Sequence, residues 1–232
     1  MHTVLSDFMM RGFHVEALQA VNIVTGCMPT SEKERQMFLD IMEFYHRSGF
    51  VNAVFGVMSY QISDIESMRQ LHEAGLRTFT RTVEVFDDEK RRQVWGKKKG
   101  ETSLEKHKQV LATAKDVFPV VEIALVLGYD SRQETLDRAR ELAEMGVTIF
   151  PQVPRLYNQE SLNLVHPDFV QDPMGFLIDS FEAVLANHRE MQASGRGLPW
   201  SVYNDQRAAE YQRVHGTDGH ADIWKTPRKY RQ

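Results

Sequence analysis

Cysteine is almost absent from this 232-residue chain: Cys27 stands alone. One thiol cannot make an internal disulfide framework, so a small disulfide-stapled secreted fold is excluded and a reducing compartment fits. Long apolar runs are missing too. Glu122 interrupts the longest candidate, and nothing approaches the ~20 residues that a membrane helix needs. The N-terminus, MHTVLSDFMMRGFHVEALQ, lacks the basic start and unbroken apolar core of a signal peptide. A net charge of -4 gives no general basic surface for nucleic acid, although residues 90–99 are locally basic. The nine histidines are scattered without metal-ligand spacing. No Cys-His-Asn or Ser-His-Asp order stands out. The expectation is a cytoplasmic protein with neither membrane nor nucleic acid as partner.

What the chain does contain is a recurring unit: an apolar run, then Ser/Thr-x-x-Glu, then an amphipathic stretch usually closed by glycine. Ser31-x-x-Glu34, Ser63-x-x-Glu66, Thr102-x-x-Glu105 and Ser131-x-x-Glu134 read as capping boxes, in which hydroxyl and carboxylate satisfy orphan amides at a helix start. Gly49, Gly75 and Gly146 follow three of the stretches, where a left-handed residue ends a helix. The preceding runs predict strands at 20–25, 52–58, 78–85 and 120–127, with a fifth at 147–150. Several, such as VEIALVLG, are almost continuously apolar, as strands buried on both faces of a parallel sheet are. The pattern predicts an α/β fold, a partial parallel (β/α) barrel of the TIM type over residues 1–200. A hydrophobic content of 42% suffices for one such core. GLPWSV offers a short sixth strand, and residues 201–232 form a polar tail.

Loops leaving the C-terminal ends of parallel strands build active sites. The chemistry-bearing residues at those ends are Thr25-Gly26-Cys27, Arg81 to Glu84, Gly128-Tyr129-Asp130 and Gln152 to Arg155. After Val85 the segment DDEKRRQVWGKKKG lengthens one unit, placing a basic insertion at that end. Gly26 and Gly128 serve equally as turn glycines or as points of close backbone approach. Glu84, a carboxylate at the mouth of a buried strand, must be hydrated, paired or used. Arg81 or the lysines at 97–99 are the groups that could neutralise it.

Taken together, Ala20 to Arg155 resembles the radical S-adenosylmethionine (SAM) enzymes, in the branch of biotin synthase, the [FeFe]-hydrogenase maturase and the aromatic amino-acid lyases. Those proteins have a partial (β/α)6 barrel. The Thr25-Gly26 strand end resembles the family's second strand, whose backbone meets the amino group of SAM. RTVEVFDDEKRRQVWGKKKG resembles the fourth, where a Glu such as Glu84 faces the cofactor and basic residues follow. VEIALVLGYDSRQET resembles the fifth, with Gly128 passing the adenine, and GVTIFPQVPRL the sixth. The resemblance implies Thr25, Gly26, Glu84 and Gly128 on the cofactor and Gln152 and Arg155 on a small-molecule substrate. It implies SAM and a [4Fe-4S] cluster as cofactors.

The family holds its cluster with three cysteines in a CxxxCxxC loop after the first strand. This chain has one cysteine and no such loop. On this registration the first βα unit and the cluster loop precede Met1, in a missing N-terminal segment or a partner chain, and the chain by itself is inactive. Two other readings remain open: a cluster-free barrel of lyase or aldolase type, with Glu84 as base and Lys97, Lys98 or Lys99 as electrophile, and a non-catalytic degenerate barrel subunit.

Overall fold

The structure, a computed structural model, describes residues 20–24, 28–49, 54–154 and 159–193. Five parallel strands alternate with helices: β1 Ala20–Val24, β2 Val54–Ser59, β3 Leu76–Glu84, β4 Val120–Val126 and β5 Thr148–Gln152. The helices are α1 Ser31–Arg47, α2 Ile65–Glu73, α3 Asp88–Gly100, α4 Leu104–Lys115, α5 Arg132–Glu144, α6 Gln159–Leu164, α7 Pro167–Gln171 and α8 Pro173–Ala193. Among the described residues the sheet runs in the order β1-β2-β3-β4-β5 and is not closed. Each strand end falls within two residues of its sequence expectation. The sixth strand and the polar tail lie outside the described residues. Among those described, no helix is long and apolar enough to cross a membrane.

The chain divides into two compact units, Met1–Thr82 with Gln109–Val121, and Val83–Lys108 with Glu122–Gln232. In the first unit, alternation along the strands sets two faces. Phe55 meets the rings of Tyr45 and His46 on α1, at 6.0 and 5.0 Å between centroids, and Phe79 stacks on Phe118 at 5.4 Å. Asn22, Gly56 and Thr78 are register partners across β1, β2 and β3. A β carbon at Gly56 would meet Asn22 Oδ1, so a larger residue there would make the exposed Asn22 side chain swing aside.

Helix starts depart from the expected capping boxes. Thr30 caps α1 and Asp64 caps α2, each one residue away from the predicted Ser31 and Ser63. In the second unit Ser103 Oγ, rather than Thr102, accepts from the Lys106 amide, whereas Ser131 caps α5 as expected. Gly49, Gly75 and Gly146 end their helices with φ of +93°, +108° and +69°. The segment 87–100 is not an irregular basic loop but the capped start and body of α3, because Asp87 accepts the Lys90 amide. Helical folding leaves fewer backbone groups unsatisfied than an extended insertion would.

Glu34 shows why the first box fails. It is 1% exposed, and its carboxylate accepts from Ser59 Oγ and from the amides of Gln61 and Ile62, at 3.1 and 3.2 Å for the two amides. A long-range role at the end of β2 has displaced the local one. A carboxylate so buried and so bonded loses more when removed than a surface cap does. Glu34→Ala should therefore lower unfolding stability by about 3 kcal/mol, and Ser31→Ala by under about 0.5 kcal/mol. Urea denaturation checks this; a loss of about 1 kcal/mol or less at Glu34 would return it to a simple cap.

Candidate functional site at the end of β3

The second unit begins with an unusual turn. Glu84, the last residue of β3, is the one described non-glycine residue with positive φ, at +67°. Across it the Val85 amide donates to Val83 O at 2.8 Å. Together these make a γ-turn of the left-handed kind, which is rare and strained. A side chain in such a conformation costs roughly 1–3 kcal/mol and persists only where its surroundings impose it.

The surroundings do impose it. The next two amides, of Phe86 and Asp87, each donate at 2.8 Å to one oxygen of the Asp130 carboxylate, which follows β4. The two carbonyls beside the turn, Val85 O and Phe86 O, accept from Arg91 Nε and Nη2 at 2.8 and 2.9 Å. Arg91 Nη1 reaches Thr102 O at 2.6 Å and Asp88 Oδ1 at 2.8 Å, and the whole side chain is 1% exposed. Burial pushes the Asp130 carboxyl up to about 6, against the opposing pull of its two amide donors.

The turn presents the Glu84 carboxylate to Lys99, whose Nζ lies 3.2 and 3.5 Å from the two oxygens. Both are largely buried, at 13% and 25% side-chain exposure, so the pair is better shielded than a surface ion pair. Lys99 Nζ lies 5.3 Å from the Trp95 ring centroid, a cation–π distance. Trp95 Nε1 is buried without an acceptor. Nearby, burial and then the charge of Glu84 raise the Tyr129 phenol. Of the groups that could neutralise Glu84, Lys99 does so. Arg81 belongs to the first unit, donates Nη1 to Ile62 O at 3.0 Å and lies 5.3 Å from the Tyr60 ring. Burial lowers its guanidinium to about 10.

Two further expected residues join this end of the unit. Gly128 has φ +94°, and Leu127 N donates to Gln152 O at 2.9 Å, which sets half-buried Gln152 beside the end of β4. Thr25, Gly26, Cys27 and Arg155 lie outside the described residues, as do the side chains of Lys97 and Lys98. Sequence placed Asp130 among the strand-end candidates without a role and did not single out Arg91. Arg91 reads as one member of a basic run, and no periodicity separates a buried arginine from its solvated neighbours.

Among the described residues, no group of three His, Cys, Asp or Glu is arranged to hold a metal ion. A single thiol cannot supply three thiolates either, so the residues of this chain do not fit a [4Fe-4S] cluster. The carboxylate at the end of β3, by contrast, fits a ligand offering hydroxyl or amino donors.

No protein-family model matches the chain, and no curated protein does. Solved structures do. HydG, a maturase of the [FeFe]-hydrogenase, is similar with a TM-score of 0.54 and 14% identity, over 76% of this chain and 40% of that one. Coproporphyrinogen III oxidase (HemN) from Escherichia coli, a radical SAM enzyme, gives 0.46 and 16%, over 69% and 41%. This chain thus spans about 40% of the length of either. The likeness to HydG is one of fold, parallel strands alternating with helices.

If the turn at Glu84 is strained, the usual order of alanine above glycine should invert there. Glu84→Gly should be more stable than Glu84→Ala by about 1 kcal/mol, since both lose the carboxylate and glycine alone is relaxed at positive φ. Thermal or urea unfolding of the two variants checks it, and alanine equal to or better than glycine would refute the strain.

Proposed function

We propose that this chain is the adenosyl- and substrate-binding part of a radical SAM-type enzyme. In complete form the enzyme would cleave S-adenosylmethionine at a [4Fe-4S] cluster, yielding a 5′-deoxyadenosyl radical that acts on a small-molecule substrate. The observation that carries the proposal is the turn at Glu84. A scaffold needing only a bend would place glycine at φ +67° with no strain; here a glutamate is held there by a buried arginine and a buried aspartate.

In this reading Glu84 accepts a hydrogen bond from SAM, while Lys99 holds the carboxylate in place. Thr25, Gly26 and Gly128 allow backbone to approach the cofactor closely. Gln152 and Arg155 face the substrate, and Arg155 suits bidentate binding of a carboxylate. These groups bind, orient and exclude water, while the hard chemistry belongs to the cofactors. Because three thiolates cannot come from Cys27, the cluster ligands lie in an upstream segment or a partner chain. A reducing, cytoplasmic setting suits such a cluster.

The cluster-free aldolase reading is weaker at Lys99. Schiff-base formation needs an amine free to attack a carbonyl, and Lys99 Nζ is occupied by the Glu84 carboxylate at 3.2 Å.

Anaerobic reconstitution with iron and sulfide, reduction of the cluster with dithionite and assay for methionine and 5′-deoxyadenosine test the proposal. The 232 residues alone should give none, and restoring a three-cysteine segment should give SAM cleavage that Glu84→Gln reduces by at least tenfold through weaker SAM binding. Cleavage by the chain alone would overturn the division of ligands. Unchanged SAM affinity in Glu84→Gln would remove Glu84 from the site.

A further inference from the structure

The end of β4 is closed by the chain itself. A β carbon on Gly128 would lie 2.7 Å from the Phe169 ring, so that ring rests directly on the glycine's Cα. Gly128 O accepts from His166 N at 2.8 Å. The face and the carbonyl by which this glycine could meet a ligand are therefore both occupied by residues 166–169.

The closing segment has few anchors. α7 is five residues long, and Phe169, at 6% exposure, is its buried apolar residue, while Val170 is 49% exposed. Phe169 sits edge-on to Phe176 at 5.5 Å. Val165, at 5% exposure, and the His166 amide on Gly128 O hold its start. Arg132 holds the rest: its amide donates to Asp168 Oδ2 at 3.0 Å and its guanidinium meets Asp172 at 3.0 Å, while Asp179 of α8 meets the same guanidinium at 3.1 Å. The Arg132 side chain is 32% exposed, a setting in which breaking such a pair shifts an equilibrium only a few-fold. A five-residue helix held by two apolar side chains, one backbone bond and partly exposed charges belongs to the low-stability end of a fold, where local opening is frequent.

We propose that α7 is a lid over the end of β4, with Phe169 as a plug that must leave Gly128 before an adenosyl group can approach it. The proposal rests on the adenosyl reading above and adds a gate to it. A ligand that binds only the open form has its affinity lowered by the open fraction, so removing the plug restores affinity. Residues 165–172 should move outward as the ligand enters, and Arg132 is the buckle that sets how often they do.

The test uses 5′-methylthioadenosine, which carries the adenosyl group without the amino-acid chelate for iron, with calorimetry on the full 232-residue chain and on Phe169→Ala and Arg132→Gln. Both variants should bind more tightly than the unaltered chain, Phe169→Ala by tenfold or more, and saturating ligand should speed amide exchange across 165–172. Should Phe169→Ala fold poorly, Arg132→Gln with the exchange measurement gives the same decision. Binding to the variants alone also supports the lid. Equal or weaker binding by variants of a chain that does bind, or slower exchange at 165–172 on binding, overturns the lid and leaves the adenosyl reading standing. Absence of binding by all three proteins overturns the adenosyl reading, and the lid with it.

Discussion

At Glu84 the chain turns through a conformation that an L-residue avoids, and much of the second unit is arranged to hold it there. The strain is of order 1–3 kcal/mol. Against it stand two amide bonds to Asp130 and two carbonyl bonds from Arg91, each involving an ionisable group and so stronger than a bond between neutral groups. Holding the turn this way requires an arginine and an aspartate to be buried. The product of that arrangement is a carboxylate fixed at the end of β3 and paired with Lys99.

The same logic operates with a different carboxylate in the first unit. Glu34 anchors the end of β2 by accepting from Ser59 and the amides of Gln61 and Ile62. Strand ends in parallel sheets release the chain into loops whose amides have lost the ladder, and a buried acid is one way of satisfying them. Glu34 and Asp130 each do this with backbone donors, so each acts as an organiser of a strand end. Glu84 does not: it is paired with Lys99, a group that a ligand can share.

The architecture was legible because it depends on period and punctuation. Apolar runs such as VEIALVLG and glycines such as Gly75 and Gly146 report a repeating βα unit regardless of distant contacts, and the strands fall where those signals put them. The caps were legible to within one residue, because Thr30 and Ser31, or Ser63 and Asp64, are chemically equivalent choices and the entry geometry of the chain selects between them. Glu84 was legible as a carboxylate in an apolar context. Its conformation was not, nor were the roles of Arg91, Asp130 and Glu34. Each of those is decided by a partner elsewhere in the chain, as with Glu34 and Ser59, and local pattern carries no record of such pairs.

The central proposal is that the ends of β3 and β4 in the second unit meet the adenosyl group, with the end of β5 on the substrate side. Photo-crosslinking with an 8-azidoadenosyl analogue of S-adenosylmethionine, followed by peptide mapping, tests it directly. The account predicts labelling within residues 83–100, 126–132 or 150–155, suppressed by excess S-adenosylhomocysteine. Competed labelling confined to helix faces or to the opposite ends of the strands, or no competed labelling at all, would contradict it.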